Sequence, residues 1–549
     1  MFAVIYTGLV ALHATLLRLP YFWDEAGYFI PAARDLFLTG DPIAHTTLSN
    51  AHPPLVMAYL ALVWRVTTYS PVVTRLAMLA MTSLGLTAIH RLARHVSNTA
   101  VAIATVVLSA LYPVLFAQSS LAQLDVGALA FGSWAVYLHL TDRRAASIVC
   151  SSLAIMSKET AVVVPLTFFA WEVVSKLIAR WRPAVAEKWC LHPHKPWRAA
   201  FAQLLALVPL VVWYAYHFHR TGHIFGNPEY LRYNVGATVT PLRIAVSFLM
   251  RAWHTFGYMN MFVLTGAALI ALRLPARVDS GVARRRIDPR IQVLFALLIL
   301  AHMVEFSVLG GALLARYMIS VVPLAVMLCV ATLWRRVQGW QWWTVACGAM
   351  FVAALVSNPP WRIAPEDNLA YTDFVQLHQS AAAYCDKHYT GNTILTAWPA
   401  SDELNRPFLG YVSRPLTVVH AENFTLAQML AARSQADNFD VIVAFSTKYE
   451  PPRDLLWRWK WWRRLQEKYF DFHEDVPPET IAQMFGGRIV WHAKRGGEWA
   501  AVIELPRIRN AEFRGAPPGS PANAVRQGDY SSLCDSMILP SPGIRSSVV

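Results

Sequence analysis

The feature that most constrains this chain is a succession of apolar runs, most of them near the length that crosses a bilayer. They fall at residues 2–19, 72–90, 99–117, 124–140, 145–157, 160–178, 200–217, 256–272, 291–309, 313–333 and 340–357. On a criterion of ~20 apolar residues per span, this predicts a polytopic α-helical membrane protein of about eleven spans. The 55% hydrophobic and 15% charged content of the 549 residues, with a mean hydropathy of +0.35, excludes an ordinary soluble enzyme. Residues 54–68 form a shorter, Pro-initiated run that reads as an amphipathic helix lying at the interface. The fifth and sixth runs are short and are interrupted by Lys158-Glu159, which places that pair at a surface rather than mid-bilayer.

The net charge of +14 is concentrated in short loops. Arg91/Arg94, Arg143/Arg144, the 176–198 stretch, Arg277 with Arg284 to Arg290, and Arg335/Arg336 fall on one side if the first span begins inside. That side is the cytoplasm by the positive-inside rule, so the charge needs no nucleic-acid partner. The other side receives the 20–70 loop, Gln118–Asp125, Lys158-Glu159, the 218–255 loop, Arg316 and everything after residue 357. The expected setting is a bacterial inner membrane with the N-terminus cytoplasmic. Only Cys385 and Cys534 read as extracytoplasmic, so no disulfide framework is expected. Residues 2–17 lack a charged lead-in and a cleavage motif, which predicts no signal peptide and suggests a start upstream of Met1.

Past residue 357 the character changes. Polar amphipathic stretches at 366–389 and 425–435 alternate with β-like runs at 393–397, 416–419, 441–445, 488–492 and 500–505. This predicts a C-terminal extracytoplasmic α/β domain over 358–505, after a transmembrane domain over 1–357. Residues 506–549, rich in Pro, Gly, Ser and Arg without periodicity, are expected to be disordered.

Charge beside a membrane span is costly and seldom kept without use. Asp24-Glu25 follows the first run directly and precedes the His52-Pro53-Pro54-Leu55 turn. The pair serves either as an N-cap or as catalytic acids, with Asp24 as general base for an acceptor hydroxyl or amine and Glu25 positioning acceptor or metal. Asp125 heads the fourth run, as a dipole-stabilised helix acid or as a ligand facing Asp24. Lys158-Glu159 is a snorkelling surface pair or a phosphate ligand. Arg316-Tyr317 suits the same task, because a guanidinium fork matches phosphate oxygens. Glu305 could pair with Arg316 or touch substrate. His217, His219 and His223 have spacing that could ligate zinc but lack Cys or acidic partners, and read as an interfacial belt. Trp457, Trp459, Trp461 and Trp462, interleaved with Arg and Lys, read as a patch against anionic headgroups or the bundle surface.

These residues, in this order and on one side, resemble the polyprenyl-phosphate-dependent glycosyltransferases of the C superfamily. Within it the chain is similar to the dolichyl-phosphate-mannose protein mannosyltransferases and the lipid A aminoarabinose transferases. The likeness rests on Asp24-Glu25, Pro53-Pro54-Leu55, Arg75, Asp125, Lys158 and Arg316-Tyr317 with Pro323, and covers roughly residues 1–357. It implies inverting transfer of a sugar from a polyprenyl-phosphate donor to a lipid, glycan or protein acceptor on the extracytoplasmic face. It further implies Asp24 as base, and His52, Arg75, Asp125, Lys158, Glu159, Arg316 and Tyr317 as substrate ligands. A divalent cation is left open as cofactor. Ala26-Gly27-Tyr28 departs from the mannosyltransferase pattern, and no trefoil-like domain follows. The rival reading is a transporter or flippase of a lipid-linked sugar, for which charges near mid-bilayer in repeated halves would be expected. A silent scaffold would leave the converging acids and bases without a purpose.

Overall fold

The computed structural model describes residues 1–182, 184, 197–226, 239–309, 311–470 and 472–506. Helix occupies part of every one of the eleven apolar runs. Among the described residues, four helices are long and apolar enough to cross a membrane alone: Pro71–Val96, Glu159–Trp181, Trp197–Thr221 and Pro289–Val308. Other apolar helices, such as Phe2–Leu12, Thr99–Leu111 and Met261–Ala271, are shorter. The sequence sets these limits locally. Pro113 cannot donate to the preceding turn, so the 99–117 run breaks into Thr99–Leu111 and Pro113–Gln118. The 313–333 run begins as a 3-10 turn, Ala315–Met318, and becomes helix only at Val322, with Pro323 in its first turn. Ser70 and Asn98 cap the helices that follow them by accepting from Val73 and Val101 N–H.

The Leu124–Leu140 helix packs between Pro71–Val96 and Arg144–Ser157. Gly127 makes the second contact close: a Cβ there would lie 2.7 Å from the Ser157 hydroxyl. Leu124–Leu140 spans about 25 Å, with Asp125 at one end and Arg143 just beyond the other. Asp125 and the Arg143-Arg144 loop therefore sit at opposite ends of this helix. At the arginine end the Arg277 N–H donates to the Arg335 carbonyl (2.9 Å) and Arg284 to the Trp334 carbonyl (2.6 Å), drawing two basic loops together. The 54–68 run contains the helix Leu55–Val66, which buries Val56, Leu60 and Trp64 and exposes Leu62 and Val66.

After the last apolar helix, Trp340–Val356, five strands form one sheet in the order Thr417–Ala421, Thr393–Ala397, Val441–Phe445, Glu498–Glu504, Arg488–Arg495. The first three run parallel and the last two add antiparallel. Val441–Phe445 is central and buried throughout, as its unbroken apolar run requires. The helix Ala370–His388 lies across Glu498–Glu504. This layer rests on the acid-bearing end of the helices. Tyr411 donates to the Tyr21 carbonyl (3.0 Å) and Tyr69 to the Phe408 carbonyl (2.8 Å). The Trp398 indole covers Gly27 so closely that any Cβ there would collide with it. The segment 506–549, expected to be disordered, lies outside the described residues except for Pro506.

Candidate active site

Trp23 adopts φ 46°, a sparsely populated conformation for a bulky side chain. A π-helical turn, Glu25–Phe29, follows and continues as Ile30–Thr39. Such a turn breaks the ordinary helical register, and the two adjacent acids diverge.

Glu25 points inward and is 0% exposed. It accepts from Arg75 Nη1, from the Phe22 N–H (3.0 Å) and from the Ala122 N–H. Arg75, also buried, donates as well to the carbonyls of Pro20 (2.9 Å) and Ser120 (3.1 Å). The pair ties the loop before Glu25 to the loop before Ala122. Expected as a catalytic acid and a substrate ligand, Glu25 and Arg75 form an ion pair that is 0% and 1% exposed where the two loops meet.

Asp24 points the other way, toward an alternating row of charges. Its Oδ2 accepts from Arg316 Nη2. Arg316 Nη1 donates to Glu366 Oε2 (2.7 Å), and its Nε lies 3.8 Å from Asp125 Oδ2. Asp125 Oδ1 in turn accepts from Lys158 Nζ (2.7 Å). Asp24, Arg316, Asp125 and Lys158, from four distant parts of the chain, thus meet at one end of the bundle. Asp24 is the most accessible carboxyl of the row, at 18% side-chain exposure against 6% for Asp125 and 5% for Glu366.

Three carboxyls share two cations, so one acid is under-compensated. Burial pushes the Glu366 carboxyl up to about 8; Arg316 offsets part of that, and Asp24 works against it. Burial likewise pushes Asp367 up to about 7, although the Tyr258 hydroxyl donates to its Oδ2 (2.6 Å). The sequence reading missed Glu366 and Asp367, taking them as the start of an amphipathic stretch. The available signal was that they are a second adjacent pair of acids a few residues beyond an apolar run, on the same side as Asp24-Glu25.

Aromatic rings complete the row. Tyr317 stacks on Phe306 (centroids 4.8 Å apart), with Lys158 Nζ 4.3 Å and Arg251 Cζ 5.1 Å from the Tyr317 ring. Arg251, buried and unforeseen, donates to the carbonyls of Leu314 (2.7 Å) and Ala312 (3.0 Å), and so holds the loop that presents Arg316. His52 and Glu159 stand to one side as a pair (Nδ1 to Oε2, 2.9 Å), attached to the row through the Lys158-Glu159 peptide. Lys158 is buried rather than snorkelling. Glu305 does not pair with Arg316, whose partners are Asp24, Asp125 and Glu366. His217 is buried and bonded to the Ser49 hydroxyl (2.7 Å) and the His223 carbonyl (2.7 Å), not set out as a belt residue. Among the described residues, no group of three or more His, Cys, Asp or Glu could hold a metal ion.

Asp125 and Lys158 line a small pocket between helices. Its walls include Gly132, Val136, Val164, Leu298 and Leu324, with the polar Ser133, Thr160, His302 and Ser320 among them. From Asp125 to Val136 it follows about 16 Å of helix.

No family model and no curated protein matches this chain. Solved structures do. The crystal structure of ArnT from Cupriavidus metallidurans bound to undecaprenyl phosphate is similar at 14% identity and TM-score 0.51, over 91% of this chain and 97% of that one. Its apo form gives 14% and 0.49, over 90% and 98%. Archaeal oligosaccharyltransferase AglB from Archaeoglobus fulgidus, in complex with an inhibitory peptide and a dolichol-phosphate, gives 11% and 0.45, over 91% and 74%. At 14% identity the likeness is one of fold. The first of the three carries the fold assignment.

Proposed function

We propose that this chain is a membrane glycosyltransferase that moves a sugar from a polyprenyl-phosphate donor to a lipid, glycan or protein acceptor. The observation that carries the reading is the row Asp24–Arg316–Asp125–Lys158 beside a small pocket between helices. The fold likeness to a structure bound to undecaprenyl phosphate supports it.

In this reading the isoprenoid tail occupies the groove past Gly132 and Leu298, and the donor phosphate lies at Lys158. Asp24, the accessible acid, takes the proton of the acceptor hydroxyl or amine as the acceptor oxygen or nitrogen bonds to the anomeric carbon. The bond from that carbon to the phosphate oxygen breaks on the opposite face, which inverts the configuration. The departing phosphate gains negative charge. Lys158 and Arg316, held in a site poor in water, stabilise it more than solvated cations would. Glu25 with Arg75, and Arg251, position the loops and do not touch substrate. His52-Glu159 and Tyr317 line the sugar or acceptor side.

The site faces away from the cytoplasm in this reading: about eleven spans place the N-terminus inside, and the arginine loops lie at the far ends of the helices. The α/β domain over 358–505 is then extracytoplasmic and contributes Glu366 to the site. A flippase would need its polar groups near mid-bilayer, whereas the charges here gather at one end. The test is lipid analysis of a deletion strain complemented with wild type or Asp24→Asn. One polyprenyl-phosphate sugar should accumulate in the deletion and with Asp24→Asn, and disappear with wild type. Full complementation by Asp24→Asn at wild-type protein levels would reject the reading.

A further inference from the structure

The Trp-rich basic segment identified in the sequence plays no part in the transfer site. It folds as a turn over Leu455–Arg458 leading into the helix Lys460–Tyr469. Trp461, Leu465 and Tyr469 recur at intervals of four, with Trp462 beside them, so they share one side of that helix. No side chain of the helix is buried. Trp459 and Trp461 stack on one another (5.9 Å) and are 53% and 59% exposed. Leu455 is exposed as well. Water-facing tryptophans are expensive, so this surface has an occupant.

Its place in the fold and its charge say which. The Leu455 N–H donates to the Pro360 carbonyl (3.0 Å), four residues beyond Val356, the outward-facing last residue of the Trp340–Val356 helix. At the other end Arg243 donates to the Tyr469 carbonyl (2.8 Å) and to the Gly311 carbonyl (2.7 Å). Arg243 lies in the first turn of Pro241–Phe256, whose Leu242 and Leu249 are exposed apolar residues, and Gly311 lies just past Pro289–Val308. The segment is thus pinned to three helix ends where outward-facing apolar surface begins. Residues 453–468 carry Arg453, Arg458, Lys460, Arg463, Arg464 and Lys468 against Asp454 and Glu467. Asp454 is already taken by Arg362 (3.1 Å). A basic, tryptophan-bearing helix at that level fits the headgroup layer, where indole rings settle and phosphates attract cations.

We propose that Leu455–Tyr469 is a docking surface for anionic lipid headgroups, with Trp459 and Trp461 seated among them and Arg458, Lys460, Arg463 and Arg464 on their phosphates. This rests on the helices spanning a membrane, not on glycosyl transfer. The experiment uses full-length protein in nanodiscs of phosphatidylcholine and phosphatidylglycerol, with a photo-crosslinking p-benzoylphenylalanine in place of Trp461, Val356 or Glu479. Mass spectrometry reads the adducts. Position 461 should capture lipid enriched in phosphatidylglycerol, and Arg463→Glu with Arg464→Glu should cut that enrichment by roughly tenfold or more. Position 479, exposed on the helix Pro478–Phe485, should capture none. Lipid adducts at 356 without any at 461 overturn the proposal, as do adducts at 461 without preference for the anionic lipid. Absence at 356 as well would reject the membrane placement itself.

Discussion

Replacing Glu25 by Gln separates a strut from a catalytic acid. Glu25 and Arg75 form a fully buried ion pair, and Glu25 also satisfies the N–H groups of Phe22 and Ala122. Gln is nearly isosteric but leaves the Arg75 guanidinium uncompensated in a dry site. Removing one partner of such a pair costs about 3–5 kcal/mol. The double variant Glu25→Leu/Arg75→Met removes both charges but takes these partners from the Phe22 and Ala122 N–H groups and the Pro20 and Ser120 carbonyls, so it should recover only part of that loss. Cys329, Cys347 and Cys385 are buried free thiols and supply the readout. A thiol-reactive fluorophore added during a thermal ramp in detergent should light up several degrees earlier for Glu25→Gln than for wild type. Transfer per folded molecule should stay within about an order of magnitude of wild type, since catalytic proton transfer is worth ~10²–10⁴-fold. Wild-type unfolding combined with abolished transfer would refute the strut and return Glu25 to the chemistry.

Glu366 and Asp367 make stability depend on pH with an unusual sign. Their folded carboxyls hold protons more tightly than the unfolded chain does, so the folded state loses stability as pH rises from the ordinary carboxyl range through about 7 for Asp367 and about 8 for Glu366. Each contributes about 1.4 kcal/mol per pH unit in its window. Thermal unfolding of Glu366→Gln between pH 5 and pH 8 should therefore show a shallower decline than wild type; identical slopes would contradict the assignment. Gly127→Ala should cost about 1–3 kcal/mol by pushing a methyl into Ser157. It should also weaken donor binding by parting the helices that bring Asp125 to Lys158; unchanged thermal unfolding and donor KM would count against close packing there.

The helical body was legible because hydrocarbon leaves a spanning segment few options, and ~20-residue apolar runs are a strong signal. What the runs concealed was where helix ends within them. Pro113 and the Ala315–Met318 turn shorten helices in ways that a hydropathy average smooths over. The β-branched stretches at 393–397 and 441–445 coincide with strands because each is a short apolar run ended by turn residues. Asp24, Asp125, Lys158 and Arg316 could be picked out as charges beside apolar runs. Their partners could not. Nothing in the spacing of Asp24-Glu25 reveals that a π-turn sends one acid to Arg316 and the other to Arg75. Glu366 and Arg251 were missed because each owes its role to a contact made across fifty residues or more.

The central claim is that an anionic lipid phosphate sits at Lys158 with its chain in the groove below. Equilibrium binding of radiolabelled undecaprenyl phosphate to the purified protein tests it most directly, using wild type, Lys158→Gln and Gly132→Phe. Loss of one charged hydrogen bond is worth about 1.5–3 kcal/mol, so Lys158→Gln should weaken binding roughly 10–100-fold. Gly132→Phe, which fills the groove without touching the charges, should weaken it as well. Binding of equal strength in all three proteins would contradict the claim.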